Sequence, residues 1–121
     1  MGGPFDPGPD EDPEHPIPRL DTFDVLITTN LGATVGIVIA SPLRDDAMSR
    51  ARLTRKFEVS VGYFVSDEFR RKHHDISREH SWVTVRVHAE SDPLMLRLVE
   101  DYCSQVRANG ISSEFKLVGT N

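Results

Sequence analysis

The stretch 81–89, Ser-Trp-Val-Thr-Val-Arg-Val-His-Ala, constrains the fold more than any other part of the chain. Successive side chains of a β-strand point to opposite faces. Val83, Val85, Val87 and Ala89 therefore line one side, and Trp82, Thr84, Arg86 and His88 the other. A strand with one wholly apolar side is stable only in a sheet that packs that side against another layer. The rest of the chain has to supply both the neighbouring strands and that layer.

Strand candidates lie on both sides of it. Residues 23–29 and 34–40 are apolar and β-branched, and Asn30-Leu31-Gly32 between them is a turn signal, so the two read as a hairpin. Phe115, Leu117 and their neighbours read as a closing strand. The helix before it is well punctuated. Asp92 can cap it, Pro93 suits its first position, and Gly110 suits a left-handed exit. Met95, Leu98, Val99, Tyr102 and Val106 form its apolar stripe. A second helix is expected after the hairpin, with Ser41 as N-cap, Pro42 in its first turn, and Asp45 and Asp46 near the positive end of its dipole.

How far that helix runs is open from the residues alone. Phe57, Val59, Val61, Tyr63 and Val65 alternate as in a strand, while Leu53, Phe57, Val61 and Phe64 recur at helical spacing, with Met48 and Ala51 upstream. The strand version gives a ferredoxin-like or amino-acid-sensor domain that binds a small molecule. The helix version gives a two-layer sandwich of about four strands with two helices on one face. Residues 70–80 read as a polar connector.

Residues 1–20 carry six of the eight prolines, and five of the 19 acids (Asp6, Asp10, Glu11, Asp12, Glu14) against one base, Arg19. Such a segment has too little apolar surface to offset its ordering entropy, so it reads as a disordered tail, with a single domain over 21–121. Of the 19 acids and 14 bases, 14 and 13 remain for 21–121, a nearly neutral domain. A nucleic-acid binder is expected to show a basic excess, so no nucleic-acid partner is expected. One cysteine, Cys103, allows no internal disulfide. No apolar run approaches the roughly 18 residues of a membrane span, and the N-terminus lacks the layout of a secretory signal. A chain that starts Met-Gly-Gly but has Asp6 where Ser or Thr is needed does not carry a myristoylation signal. The expectation is a cytoplasmic protein without a membrane partner.

In its order of elements, and at Tyr63-Phe64-Val65-Ser66, Val83-Thr84-Val85-Arg86-Val87 and Asn109-Gly110-Ile111, the chain resembles a family of small bacterial domains of unknown function over roughly residues 23–118. The resemblance implies a helix over 45–66, and with it the α+β two-layer sandwich in ββαβαβ order. It implies no activity. The connector with His73, His74 and His80 is not part of the pattern.

No stretch rises to a catalytic motif. Gly32 and Gly36 do not make a nucleotide fingerprint, and nothing resembles a nucleophile elbow. His73, His74 and His80, with Asp75 and Glu79, are ligand types for zinc or nickel, but they lie in a polar connector without a second cluster unless His88 joins, so no metal or other cofactor is expected. Arg70-Arg71-Lys72-His73-His74 reads as a basic helix end. Cys103 beside Tyr102 reads as a small buried hydrophobe. Were the chain an enzyme, His88, Asp75 and Glu79 would be the first candidates. The outward row Trp82, Thr84, Arg86 and His88 is the stronger candidate. With both helices on one side of the sheet, it lies on the open side with Val38, Leu26 and Lys116 for neighbours, and Trp and Arg are the residue types of binding hot spots. The expected function is therefore non-catalytic: binding of a protein partner, as in bacterial immunity or regulatory proteins, or self-association.

Overall fold

The structure is a computed structural model and describes residues 12, 14–20, 23–29, 32–72 and 80–119. Strand β1 (Val25–Thr28) and strand β2 (Ala33–Ile39) form the expected antiparallel hairpin. Thr29 and Gly32 close it, with the Thr29 N–H donating to the Gly32 carbonyl at 2.8 Å. Helix α1 (Ala47–Val65) and the short α2 (Asp67–Lys72) lead to β3 (Ser81–His88), and α3 (Pro93–Ala108) leads to β4 (Ser112–Val118). The sheet order is β1-β2-β3-β4, with β2, β3 and β4 mutually parallel.

That topology explains why the layers are two and not three. Parallel neighbours need a crossover, and both crossovers carry a helix. Crossovers of one hand that step across a sheet in one direction lay their helices on the same side. The helix side of the sheet is lined by Val35, Ile37 and Ile39 from β2 and by Val83, Val85 and Val87 from β3, each at most 1% exposed. Burying such a side chain contributes about 1.5–3 kcal/mol. Leu53, Phe57 and Phe64 of α1, Phe69 of α2, and Met95, Val99, Cys103 and Val106 of α3 complete the core. The Phe57 and Tyr102 rings meet at 5.1 Å. Thr54 donates its hydroxyl proton to the Arg50 carbonyl, so the Tyr102 hydroxyl donates to Thr54 Oγ1 and ties α3 to α1.

The chain is thus an α+β two-layer sandwich, and residues 57–65 are helical. The strand alternative, and the ferredoxin-like fold built on it, is not what the chain adopts. Alternation and helical periodicity coexist in that segment. What decides is that the helix buries Leu53, Phe57 and Phe64 against the sheet, and that Ser60 returns its hydroxyl to the Lys56 carbonyl within the helix.

Three further boundaries differ from expectation. Helix α1 starts at Ala47, and its N-cap is Asp46, whose carboxylate accepts the Ser49 N–H at 2.7 Å. Ser41 is not the cap. The chain passes on without a helical turn there because Leu43 is buried and its backbone is tied to the loop after β3: its N–H donates to the Ser91 hydroxyl and its carbonyl accepts from the Asp92 N–H. The polar connector starts later than 70, because α2 runs through Lys72; residues 73–79 lie outside the described residues. The N-terminal boundary moves the other way. A tail over 1–20 with a domain from 21 sets it too late, because Ile17 and Leu20 are 2% and 6% exposed and belong to the core. Two apolar side chains framed by prolines find a seat on α1, a gain that composition averaged over twenty residues conceals. Residues 1–11 lie outside the described residues. The last helix matches expectation throughout, with Asp92 as N-cap, Pro93 in the first turn and Gly110 at φ 84°.

Candidate functional site

The strand register builds the open side of the sheet row by row. Ile27, Thr34, Trp82 and Ser112 stand side by side. Next come Val25, Gly36, Thr84 and Glu114, then Val38, Arg86 and Lys116, and finally His88 and Val118. The row predicted from β3 alone therefore does face away from the helices, joined by Val38 and Lys116. Leu26 does not join it. It pairs with Val35 and so points to the helix side, and Val25 and Ile27 take the open side instead. A strand read without its register has an even chance of this error, because a shift of one residue exchanges the faces.

Within this face the residues are not equivalent. Trp82 is 40% and Ile27 56% exposed, and Arg86 and Lys116 are exposed as well. Shallow hollows flank the indole on both sides. One, of about 460 Å³, reaches Arg107, Ile111 and Glu114. The other, of about 260 Å³, reaches Ile27, Thr34 and His80. Thr84 is half-buried. Beside it Gly36 leaves room for Val25, since a Cβ at position 36 would come within 2.9 Å of Val25 Cβ. His88 is half-buried too. Its ring lies against Gly119, and its Nδ1 accepts the Glu90 N–H at 3.1 Å, which commits it to the turn ahead of α3. Trp82 and Arg86 are the parts of the predicted row that present their side chains outward.

The face can thus offer a flat aromatic surface, apolar neighbours in Ile27, Val25 and Val38, and two cations in Arg86 and Lys116 two rows away. The chain's thiol, Cys103, is not on this face but on α3 in the core, where burial pushes it above its ordinary range. Of the histidine set in the connector, His80 is exposed and adjoins the smaller hollow. His73, His74, Asp75 and Glu79 lie outside the described residues. Arg70 and Arg71 are exposed at the end of α2.

Sequence reasoning missed a second polar constellation, on the opposite layer. His15 Nε2 lies 3.0 Å from Ser49 Oγ, and Asp12, Glu14, Arg44 and Asp46 surround a hollow of about 380 Å³ beside them. The signal that was available is the spacing Ser49, Arg52, Lys56, Ser60, a stripe on one face of α1 that is buried although its residues are polar. Compared with family models, with curated proteins and with solved structures, the chain matches none of them. No helix among the described residues is long and apolar enough to cross a membrane.

Proposed function

We propose that this is a non-catalytic binding module of the immunity or regulatory kind, whose open sheet face docks a partner protein presenting apolar and acidic side chains. The observation that carries the reading is Trp82: an exposed indole on the central strand β3, at one end of a sheet face that no described element covers, flanked by two hollows, with Arg86 and Lys116 on the same face. Aromatic and arginine anchors surrounded by smaller apolar contacts are the arrangement in which a few residues supply most of the binding energy. The two cations favour an acidic partner and would speed its encounter.

Self-association is favoured by a different observation. Edge strand β1 exposes Val25, Leu26 and Ile27, apolar on both faces, whereas the opposite edge, β4, carries Glu114 and Lys116. Charged side chains blunt an edge, and an uncharged apolar edge invites a further strand.

The test is affinity capture from native cells with the tagged full chain beside its Trp82→Ala/Arg86→Ala variant, followed by size-exclusion chromatography of each. A partner retained by the parent and lost by an equally stable variant supports the docking face. Equal retention by both refutes it. A homodimer without other protein selects the β1 edge.

A further inference from the structure

Residues 14–20 form a strap across α1. Ile17 and Leu20 enter the core, Arg52 Nε donates to the Ile17 carbonyl at 2.8 Å, and Lys56 Nζ donates to the Arg19 carbonyl at 2.8 Å. The strap also closes on itself, the Asp12 N–H donating to the Pro18 carbonyl and the His15 N–H to the Asp12 carbonyl.

The proton positions around His15 follow from these contacts. His15 Nδ1 accepts the Ile17 N–H at 2.9 Å. A ring nitrogen that accepts carries no proton, so the single proton of the ring is on Nε2, which donates to Ser49 Oγ. The Ser49 N–H in turn donates to the Asp46 carboxylate at 2.7 Å, and its contacts with Ser49 hold that carboxyl below the usual range. The histidine is therefore a donor to Ser49 and not its base, which rules out reading His15, Ser49 and Asp46 as a catalytic triad. It also leaves no room for a second ring proton. An N–H on Nδ1 would face the Ile17 N–H, donor against donor, inside a half-buried contact.

We propose that protonation of His15 weakens the docking of the strap on α1, so that opening of residues 14–20 is a pH-sensitive switch built into the fold. The charged groups that face the ring are Asp12 and Glu14 from the strap, Arg44 and Asp46 from the loop and cap ahead of α1, and Arg52 from α1. Burial, and then the Arg52 guanidinium, hold His15 below its ordinary 6.5 against the pull of Asp12, Asp46 and the Ile17 backbone. The docked strap thus binds fewer protons than the released one. Its contribution is complete above 6.5 and is lost as the pH falls from there toward the lowered value. Release withdraws Ile17 and Leu20 from the core and uncovers Ser49, Arg52 and Lys56.

The test is amide hydrogen exchange by NMR on the full chain, read as protection factors so that the intrinsic pH dependence is divided out. The Asp12, His15 and Ile17 amides report the strap, and the Val85 amide reports the sheet. Between about pH 7.5 and about pH 5.5, one proton taken up on release lowers strap protection by up to ~10-fold, while Val85 keeps its own. His15→Gln supplies an acceptor and a donor that do not titrate, and keeps the strap protected at both values. Strap protection that ignores pH in the parent overturns the proposal. So does a fall in His15→Gln as large as in the parent, since another group is then responsible. Should the glutamine fail to dock the strap at either pH, the parent decides by its chemical shifts. The Ile17 amide must move with the His15 ring, at a midpoint below 6.5; an Ile17 amide that is silent while the ring titrates overturns the switch.

Discussion

Lys56 on α1 and Arg86 on β3 are both long cations set among apolar neighbours, yet Lys56 is 2% exposed and Arg86 stands in solvent. Lys56 is enclosed because the strap lies over it and supplies the Arg19 carbonyl, while Asp24, just ahead of β1, supplies a carboxylate at 3.1 Å. A buried ammonium needs such partners, and without them its desolvation is prohibitive. Arg86 has no comparable cover from any described element. The helices occupy the other side of the sheet, and the strap is spent on α1. The difference teaches that a long cation among apolar neighbours leaves solvent only where another segment of the chain brings it acceptors. Among the described residues, the helix layer is covered by the strap, and the sheet face carries exposed Trp82 and Arg86.

The largest effect that tests this contrast is expected from Ile17→Ala. A fully buried isoleucine cut to alanine costs about 3 kcal/mol, read from the urea midpoint, if the strap folds as part of the domain. A loss below about 0.5 kcal/mol would show that docking of the strap contributes little and that α1 is as open as the sheet. Asp24→Ala comes next. It strips the carboxylate from buried Lys56 and the acceptor from the Val38 N–H, which Asp24 holds at 2.8 Å. About 2 kcal/mol is expected, less than for a wholly buried pair because Asp24 is partly exposed. The smallest change in stability, below about 1 kcal/mol, is expected for Trp82→Ala/Arg86→Ala on the open face. The same pair should cost about 2 kcal/mol of partner affinity, roughly a 30-fold rise in Kd by titration calorimetry. A double variant that unfolds would mean that the sheet face is structural after all.

Most of the scaffold was legible in the residues. The alternation Val83, Val85, Val87 announced a sheet with one covered side, and Asp92, Pro93 and Gly110 marked α3 from end to end. These signals are local: a period of two, a cap, a positive φ. The segment 57–65 was not decidable, because a period-two and a period-3.6 reading share Phe57 and Val61 and only packing chooses between them. The open face was legible as a row but not as a surface. Leu26 was placed on the wrong side, since the register that pairs it with Val35 depends on the hairpin closure at Thr29 and Gly32. The strap was missed for a different reason. Ile17 and Leu20 sit in a proline-rich, acidic context, and the polar stripe that receives them, Ser49, Arg52 and Lys56, reads by residue type as solvent-facing.

By itself the chain determined the hairpin, β3, α3 and the closing strand, and which side of β3 is apolar, because backbone sterics and side-chain alternation act over a few residues. The tertiary structure alone decided what each face does. It set the register that brings Val38, Arg86 and Lys116 into one row, and it laid the strap that takes Arg52 and Lys56 out of solvent. Those outcomes depend on groups between 14 and 48 residues apart along the chain meeting in space. No local preference encodes such a meeting; it is chosen by the burial and hydrogen bonding gained when the layers close.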